Sequence, residues 1–489
     1  MENVIKRIEE EFNTKIIKSK TFHPFKNTFN TDIKGNIITL DLREITIKDF
    51  EFITQVLNSL EFLSLIDCEI KSLKSIGDFK QLKKLFIHNW DELDLKIKDL
   101  EKLIQLKELK LCGLEIDDKN DFEYIKKLKN LEYLNLSFNY ELSTFKGLES
   151  LKKLKTLILS CCDIENFEDV DIMENLHYLN LDGTPYYEKS KIRKFDKFPN
   201  LEKLILSDCS IEKINGFKNI ENLKELNLSS NDILKIENLE NFENLEILNL
   251  TSNEISKIEG LEKLKNLKIL RIESNNLTKI EGLESLVNLE SLILNDNKIS
   301  KIEGLNQLKK LKTLELQENE ISKIEGLEEL NKLEYLDLSK NKLSKVEGLD
   351  SLVNLEYLNL SENKFSKVEG LKNLKNLKRL YLIGFNTDDF SEIRNLKKLE
   401  FLNIGRNQIK DFKDIPFDNL KTLFLIDNSI NEVSDEMLGL EKLVLTRNNI
   451  KYIDINWLEK IKGNCTIYLI GNPIKKIDGK IPDNVKIVF

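Results

Sequence analysis

A repeated pattern of leucines constrains this chain more than any other feature. The motif Leu-x-x-Leu-x-Leu-x-x-Asn-x-Ile occurs about twenty times, with clear copies at 131–139, 223–231 and 399–407. Taking its Asn position as the reference, successive copies fall with constant spacing at 209, 231, 253, 275, 297, 319, 341, 363, 385 and 407. Self-similarity at a fixed period of this length is the signature of a solenoid, and it leaves no room for a catalytic domain within that stretch.

The spacing within one copy predicts the local structure. Leu-x-Leu alternation forms a short strand with both leucines inward, and a return of one full repeat makes the next strand parallel to the last. Where the chain leaves the strand, the inward Asn amide can satisfy backbone groups of the turn and of the neighbouring repeat. Phe385 occupies an Asn position and cannot make these bonds, so the turn at 384–386 is expected to rearrange, with Asn386 taking over.

Glycine recurs at a fixed position after the Asn. It stands at Gly216, Gly260, Gly282, Gly304, Gly326, Gly348 and Gly370, and Asn238 replaces it once. Asn is the residue next most tolerant of a left-handed backbone, so the exception supports a positive φ in the outer turn.

These patterns predict an α/β leucine-repeat solenoid. We expect a curved, horseshoe-shaped stack with a concave parallel sheet of about 20 short strands and short 3-10 or irregular convex turns. Val4, Ile5, Ile8 and Phe12 have helical spacing, so residues 1–36 are predicted to form an N-terminal cap. Residues 37–475 are assigned to the repeats, and residues 476–489 to a cap strand.

Two identical stretches carry a family resemblance. The segments 253–262 and 319–328 both read Asn-Glu-Ile-Ser-Lys-Ile-Glu-Gly-Leu-Glu. This sequence resembles the 22-residue class of leucine-rich repeats typified by the leucine-rich-repeat regulatory subunit of protein phosphatase 1. The resemblance implies a partner protein, with a Ser/Thr phosphatase catalytic subunit as one candidate. The same repeat class also resembles bacterial internalins, which leaves an extracellular recognition module as the alternative.

The last four residues allow two interpretations. Lys486-Ile487-Val488-Phe489 resembles the short basic-hydrophobic docking motif of many phosphatase-1 partners. About one such match is expected by chance in a chain so rich in Lys, Ile and Phe, and we favour a final strand.

Charge and hydropathy narrow the class of partner. The net charge is −9, and Lys alternates with Glu instead of clustering, so nucleic acid is not the expected partner. No run approaches a membrane span, and charged residues fill the first turns of the chain, which leaves no apolar signal core. We therefore expect a monomer in the cytoplasm, with the nucleus left open.

No pattern indicates catalysis, a metal or a cofactor. Cys68, Cys162 and Cys209 occupy Asn positions, where a small, weakly hydrogen-bonding side chain can substitute. The six cysteines show no Cys-x-x-Cys spacing, and none of the three histidines belongs to a nucleophilic arrangement. Most carboxylates fall in outer turns, where a solvated charged face is the simpler interpretation. The chain is thus predicted to be a non-catalytic scaffold.

Binding residues are sought on the concave face. Its default sequence is Leu-Asn-Leu-Ser, and departures become dense between 271 and 424. The candidate protein-binding residues are Arg271, Glu315, Tyr335, Asp337, Tyr357, Arg379, Tyr381, Phe401 and Phe424. Exposed aromatic and Arg side chains suit a protein interface. The alternative is that aromatic stacking between strands simply stabilises the sheet.

Overall fold

The computed structural model describes residues 2–21, 23, 25–90, 95–117, 119–164, 170–184, 195–365, 367–433, 439–459, 461 and 463–489. They form two compact units, unit 1 (Met1–Asp232) and unit 2 (Ile233–Phe489). The division into an N-terminal cap, a repeat region and a cap strand stays a prediction.

Unit 1 begins with the helix that the apolar spacing predicted, α1 (Glu2–Glu11), in which Ile5 and Ile8 are buried. Its strands are β1 (Ile16–Lys18), β2 (Asn27–Thr31), β3 (Ile37–Arg43), β4 (Thr46–Ile47), β5 (Phe62–Ile66), β6 (Glu69–Ile70), β7 (Lys84–His88), β8 (Glu108–Cys112), β9 (Tyr133–Asn135), β10 (Thr156–Ile158), β11 (Tyr178–Asn180), β12 (Lys203–Ile205) and β13 (Glu225–Asn227). β2 pairs antiparallel with β3, and β3, β5 and β7 to β13 then pair in parallel in chain order. β4 and β6 form a separate parallel pair.

Unit 2 continues the same strand geometry. Its strands are β14 (Ile247–Asn249), β15 (Ile269–Arg271), β16 (Ser291–Ile293), β17 (Thr313–Glu315), β18 (Tyr335–Asp337), β19 (Tyr357–Asn359), β20 (Arg379–Tyr381), β21 (Phe401–Asn403), β22 (Thr422–Phe424), β23 (Lys442–Val444), β24 (Tyr452–Asp454), β25 (Cys465–Tyr468), β26 (Lys476–Asp478) and β27 (Val485–Val488). β14 to β23, β25 and β27 pair in parallel in that order. β24 pairs with β26. β27 is the final strand that the sequence predicted.

Helical segments are short in the described part of both units. The α-helices after α1 are α2 (Glu51–Val56), α3 (Phe122–Ile125) and α4 (Ile455–Leu458). The 3-10 turns are Ile76–Asp78, Lys98–Lys102, Leu148–Ser150, Phe195–Lys197 and Ser391–Asn395. The two units provide about 19 turns of parallel β-solenoid, which confirms the predicted fold class.

The repeat that contains β17 shows how each turn is stabilised. Leu311, Leu314 and Leu316 are fully buried, as are Ile321 and the outer-turn leucine Leu327. One such turn cannot bury its own leucines, because their contacts come from the turns on either side. Stability in each unit is therefore a property of stacked neighbours.

Asn297 shows why the Asn position recurs. Its Nδ2 donates to the carbonyl oxygens of Ile272 (2.9 Å), Leu294 (3.2 Å) and Asn295 (3.1 Å). Its Oδ1 accepts a hydrogen bond from the backbone N–H of Leu277 at 2.9 Å. One buried amide therefore serves its own turn and the turn before it, as predicted.

The predicted left-handed backbone is present in the outer turn. Gly282 has φ +71°, and a Cβ placed there would lie 2.4 Å from the carbonyl oxygen of Ile258. Asn238 adopts φ +59° at the equivalent position. The requirement for a positive φ therefore explains both the recurrent Gly and its single replacement.

The turn at Phe385 is rearranged, but the predicted role of Asn386 is wrong. Asn386 is exposed with φ +54° and accepts a hydrogen bond from Gln408 Nε2 at 2.7 Å, whereas Phe385 is buried and stacks on Phe365 with centroids 4.6 Å apart. The physical reason is redundancy. Leu360 O keeps a donor from Asn363 (2.9 Å) and Leu382 O keeps one from Asn407 (2.9 Å), so no further amide is needed.

Charged side chains line the edge at which the strands of unit 2 begin. This charged edge consists of the residues that precede each strand from β14 to β23, namely Glu246, Lys268, Glu290, Lys312, Glu334, Glu356, Lys378, Glu400, Lys421 and Glu441. Four ion pairs link neighbouring turns, Lys268–Glu246 (2.8 Å), Lys312–Glu290 (2.7 Å), Lys378–Glu356 (2.7 Å) and Lys421–Glu400 (3.0 Å). Glu and Lys alternate along this edge except between β18 and β19. There two glutamates are neighbours, and the Glu356 N–H donates to Glu334 O.

Candidate protein-binding surface

The strands of unit 2 present two rows of side chains on the side of the sheet away from the core. In β18 the middle residue, Leu336, is fully buried, while Tyr335 is half-buried on the outer face. We call the first residues of these strands the first row, the third residues the second row, and this surface the strand face. Parallel register aligns Tyr335, Tyr357, Arg379 and Phe401 in the first row and Asp337, Asn359, Tyr381, Asn403 and Phe424 in the second.

Five aromatic rings form a continuous track across this face. Tyr335 and Tyr357 stack with centroids 4.0 Å apart and an interplanar angle of 8°. The remaining centroid distances are 5.3 Å from Tyr357 to Tyr381, 4.8 Å from Tyr381 to Phe401, and 5.5 Å from Phe401 to Phe424. We call these residues the aromatic track. The five predicted aromatic residues are thus brought together, and their binding of a partner stays a prediction.

The track extends beyond the residues that the sequence indicated. The ammonium of Lys442 lies 5.1 Å from the ring centroid of Phe424 and 5.3 Å from that of Tyr468. Lys442 belongs to the first row and Tyr468 to the second, in register with Thr422 and Val444 respectively. Both were missed because the spacing of the repeats becomes irregular after position 407. Aligning the Leu-x-Leu pairs, instead of counting residues, would have found them.

The tyrosines of the track remain protonated. Burial raises the pKa of Tyr335, of Tyr357 and of Tyr381 above the usual range for a phenol. The nearby Asp337 carboxylate adds to the rise in the pKa of all three. The track therefore offers neutral rings and hydroxyl groups near neutral pH.

Two carboxylates lie side by side at one end of the track. Glu315 and Asp337 are directly opposite each other in the second row of β17 and β18. Asp337 is only 5% exposed, and its oxygens accept hydrogen bonds from Ser339 N–H (2.9 Å) and Asn359 Nδ2 (2.9 Å). Glu315 accepts one from Asn295 Nδ2 at 2.8 Å. Asp337 is therefore covered by its neighbours, and its contribution to binding a partner stays a prediction.

The two candidate arginines occupy different surroundings. Arg379 is exposed in the first row between Tyr357 and Phe401, and it forms no ion pair within the described residues. Arg271 lies on β15, separated from the track by β16 and β17, so the structure does not bring it to the track. Burial raises the pKa of Glu273, and the positive charge of Arg271 partly offsets that rise.

Unit 1 carries a separate aromatic cluster on its own strand face. Trp90 is 67% exposed, and its ring centroid lies 4.4 Å from that of His88 and 5.7 Å from that of Phe138. On the same face, the Lys110 ammonium lies 4.3 Å from the ring centroid of Phe86. Trp90 and Phe138 were missed because they follow the strand instead of lying within Leu-x-Leu. Phe138 has φ +62°, which is strained for an aromatic residue. This backbone angle is known only from the structure, so it could not have indicated the cluster from the sequence.

Comparison with sequence families decides the repeat class. A profile described as "Leucine Rich repeats (2 copies)" matches residues 243–285, 287–329, 309–351, 331–373 and 353–395. One described as "Leucine Rich repeat" matches residues 219–233. The chain is a leucine-rich-repeat protein. Repeats of this class form extended interaction surfaces and are generally non-catalytic.

Solved structures share the fold of this leucine-rich-repeat protein at low sequence identity. A leucine-rich-repeat protein of Leptospira interrogans is 23% identical with a TM-score of 0.54, over 89% of this chain and 100% of that one. TLR13, solved in complex with the RNA ssRNA13, is 21% identical with a TM-score of 0.64, over 94% and 77%. An internalin of Listeria monocytogenes is 23% identical with a TM-score of 0.53, over 66% and 88%. At these identities the likeness extends to the fold alone.

Within the described residues, no helix is both long and apolar enough to cross a membrane. The described part of the chain also contains no group of three His, Cys, Asp or Glu side chains placed to share a metal ion.

The cysteines at Asn positions have the structural role that the sequence predicted. Cys162 Sγ donates to Leu136 O at 3.1 Å, and Cys209 Sγ donates to Leu181 O at 3.2 Å. Cys68 Sγ lies 3.5 Å from Leu42 O. Each thiol therefore replaces one of the donor contacts of the Asn amide with a weaker one.

The adjacent thiols Cys161 and Cys162 are expected to react at very different rates. Cys161 is half-exposed and the other five cysteines are buried. Burial raises the pKa of Cys162 to about 12, so very little reactive thiolate forms at pH 8. Iodoacetamide should modify Cys161 at least about tenfold faster than Cys162, as measured by peptide mass spectrometry. Equal rates in the folded protein would contradict this, and denaturation should expose all six thiols.

Proposed function

We propose that this protein is a non-catalytic scaffold whose unit 2 binds a partner protein on its strand face. The proposed binding residues are Arg271, Glu315, Tyr335, Asp337, Tyr357, Arg379, Tyr381, Phe401 and Phe424. The observation that carries the proposal is the aromatic track, since aromatic side chains supply large contact areas at protein interfaces. Arg271 lies away from the track and Asp337 is covered, so both are proposed to contribute through the electrostatic potential of the surface and not by direct contact.

The charges beside the track favour a protein over a nucleic acid. Aromatic side chains also stack on bases, but nucleic-acid grooves pair them with clustered cations that follow the phosphates. Here the β17 end of the track carries Glu315 and Asp337, and the charged edge contains six Glu and only four Lys. The complex of TLR13 with RNA concerns a protein that is 21% identical to this one.

A phosphatase-1-type catalytic subunit is the first partner that we propose. The support is the resemblance of the repeats at 253–262 and 319–328 to the regulatory subunit of that enzyme. The proposal includes a monomer in the cytoplasm or nucleus that recruits or regulates the enzyme.

The alternative is an extracellular recognition module like the internalins. The fold likeness to the Listeria internalin supports it. The two proposals differ in compartment, so fractionation of the source cells distinguishes them. Protein recovered at the cell surface would favour the alternative, and protein recovered inside the cell would favour the phosphatase partner.

Reversing the charge of Arg379 tests the proposed surface. The purified phosphatase-1 catalytic subunit is titrated against the full chain by biolayer interferometry, followed by any partner identified by affinity purification. Arg379→Glu should weaken binding at least about tenfold, because Arg379 is the exposed cation within the track. Lys398→Glu is the matched control, since Lys398 is exposed, donates from Nζ to Asn376 Oδ1 at 2.8 Å, and lies outside the strand face.

The outcomes separate the parts of the proposal. No binding of the phosphatase to the unmodified protein would overturn that partner. Equal affinity of Arg379→Glu, Lys398→Glu and the unmodified protein for an identified partner would move the interface elsewhere.

A further inference from the structure

We propose that the partner presents an arginine or lysine side chain that stacks on the open face of Tyr335 and pairs with Glu315. This inference rests on the proposed function and specifies the chemistry that the strand face recognises. It is carried by the geometry of the aromatic track at its β17 end.

Tyr335 has one covered face and one open face. Tyr357 lies against the first at a centroid distance of 4.0 Å and an interplanar angle of 8°. Rings stacked between neighbouring strands present their opposite faces along the direction of the sheet, so the second face of Tyr335 is turned toward β17. The residue in register there is Thr313, which is too small to cover an aromatic ring.

Negative charge surrounds that open face. Glu315 is half-buried beside it, and the buried Asp337 carboxylate is directly opposite Glu315. Like charges directly opposite each other destabilise a sheet. The described residues supply no ion pair to either carboxylate, whose hydrogen bonds come from neutral groups, Asn295, Ser339 and Asn359.

The charged edge adds to this potential. Glu334 immediately precedes Tyr335 and lies next to Glu356, at the one step where the alternation of Lys and Glu fails. Glu356 has Lys378 as its ion-pair partner, whereas Glu334 has none among the described residues. A cation from a partner would relieve the repulsion at β17 and β18, which is the electrostatic complementarity that selects partners.

The two ends of the aromatic track differ in how their outer rings are covered. At the far end, the chain supplies its own cation, because Lys442 lies 5.1 Å from the Phe424 centroid and 5.3 Å from the Tyr468 centroid. At the β17 end, the equivalent first-row position is Thr313. A cation over a tyrosine face and beside a carboxylate gains both the ring quadrupole and the ion pair. The Tyr335 end is therefore suited to a cation from outside the chain.

Peptide selection tests the chemistry of the site. Random displayed dodecapeptides are selected on the full-length protein, and the enriched sequences are synthesised and titrated by fluorescence anisotropy. Arg and Lys should be enriched over the unselected library, and Glu315→Gln should weaken binding about tenfold, the scale of a cation–π and carboxylate contact. Replacing the essential peptide Arg by citrulline, which is neutral and similar in shape, should have the same effect.

The outcomes distinguish this inference from the proposed function. Peptides that lose affinity with Tyr357→Ala but bind Glu315→Gln normally, or that show no excess of basic residues, would overturn the cation site and leave the interface in place. Peptides indifferent to both Tyr357→Ala and Arg379→Glu would overturn the interface as well. Failure to enrich any peptide counts against both.

An internal cation provides a second test that needs no partner. Thr313→Arg places a guanidinium beside Tyr335 and Glu315, so we expect it to raise Tm by about 1 °C or more and to block the selected peptides. The rise should disappear when Glu315→Gln is added. Thr156→Arg is the matched control, because Thr156 lies between Tyr133 and Tyr178 in the same row but has neutral Asn135, Ile158 and Asn180 in the second row. Unchanged Tm with undiminished peptide binding in Thr313→Arg would overturn the proposal.

Discussion

Tyr357→Ala is expected to weaken partner binding by about 2 kcal/mol, or roughly 30-fold in Kd. Tyr357 has ring contacts on both sides, with Tyr335 at 4.0 Å and Tyr381 at 5.3 Å. Its removal therefore breaks the aromatic track in the middle, and the large contact area of the ring is lost. The measurement is the dissociation constant for an identified partner, determined beside the urea unfolding midpoint of each variant.

Two variants provide the controls for this loss. Tyr357→Phe keeps the ring and should bind within about threefold of the unmodified protein, because the contact area is retained. Tyr178→Ala removes a first-row tyrosine of unit 1, near Lys203, and should leave binding unchanged. Tyr357→Ala should also lose about 1 kcal/mol of stability through the broken stack. Lost stability with unchanged binding would instead support the view that the rings only stabilise the sheet.

Asn297→Ala is expected to lower the free energy of unfolding by about 2 kcal/mol, within the range for buried groups that lose their partners. The substitution leaves the N–H of Leu277 without its acceptor inside the core. The carbonyls of Ile272 and Leu294 suffer less, because Asn275 and Asn319 still donate to them at 3.3 and 2.9 Å. Urea unfolding followed by circular dichroism measures the change.

The matched control is an Asn that makes comparable bonds in water. Asn288 donates to Lys265 O at 2.8 Å and accepts from Lys310 Nζ at 2.6 Å, and both bonds are exposed. Asn288→Ala should cost less than about 0.5 kcal/mol, because water replaces the lost partners. Equal unfolding midpoints for Asn297→Ala and the unmodified protein would refute the proposed role of the buried amide.

Most of the fold could be predicted because its two periodic requirements are local. Leu-x-Leu places two side chains inward within one strand. The position three residues after the second leucine then needs an amide or a thiol that donates to backbone carbonyls. The replacement of Asn by Cys162 follows this rule. Asn386 did not behave as predicted. The number of donors that each backbone carbonyl receives depends on the Asn residues of two successive turns, so it cannot be derived from the sequence of one repeat.

The candidate site could be predicted only in part. Register follows from the repeat, so the adjacency of Tyr335, Tyr357 and Arg379 was foreseeable. The burial of Asp337 was not, because it depends on side chains contributed by neighbouring strands. Lys442 and Trp90 escaped notice for a different reason, since both lie where the spacing or the motif becomes irregular.

The charged edge has a parity that the leucines do not have. The packing of the leucines repeats with every turn, but Glu–Lys pairing repeats only with every second turn. Deleting one turn around Lys268 would bring Glu246 next to Glu290, whereas deleting two would preserve the pairing. An array of this kind can therefore gain or lose turns in even numbers without electrostatic cost, and an odd change leaves a seam of like charge. Glu334 and Glu356 form such a seam beside Tyr335.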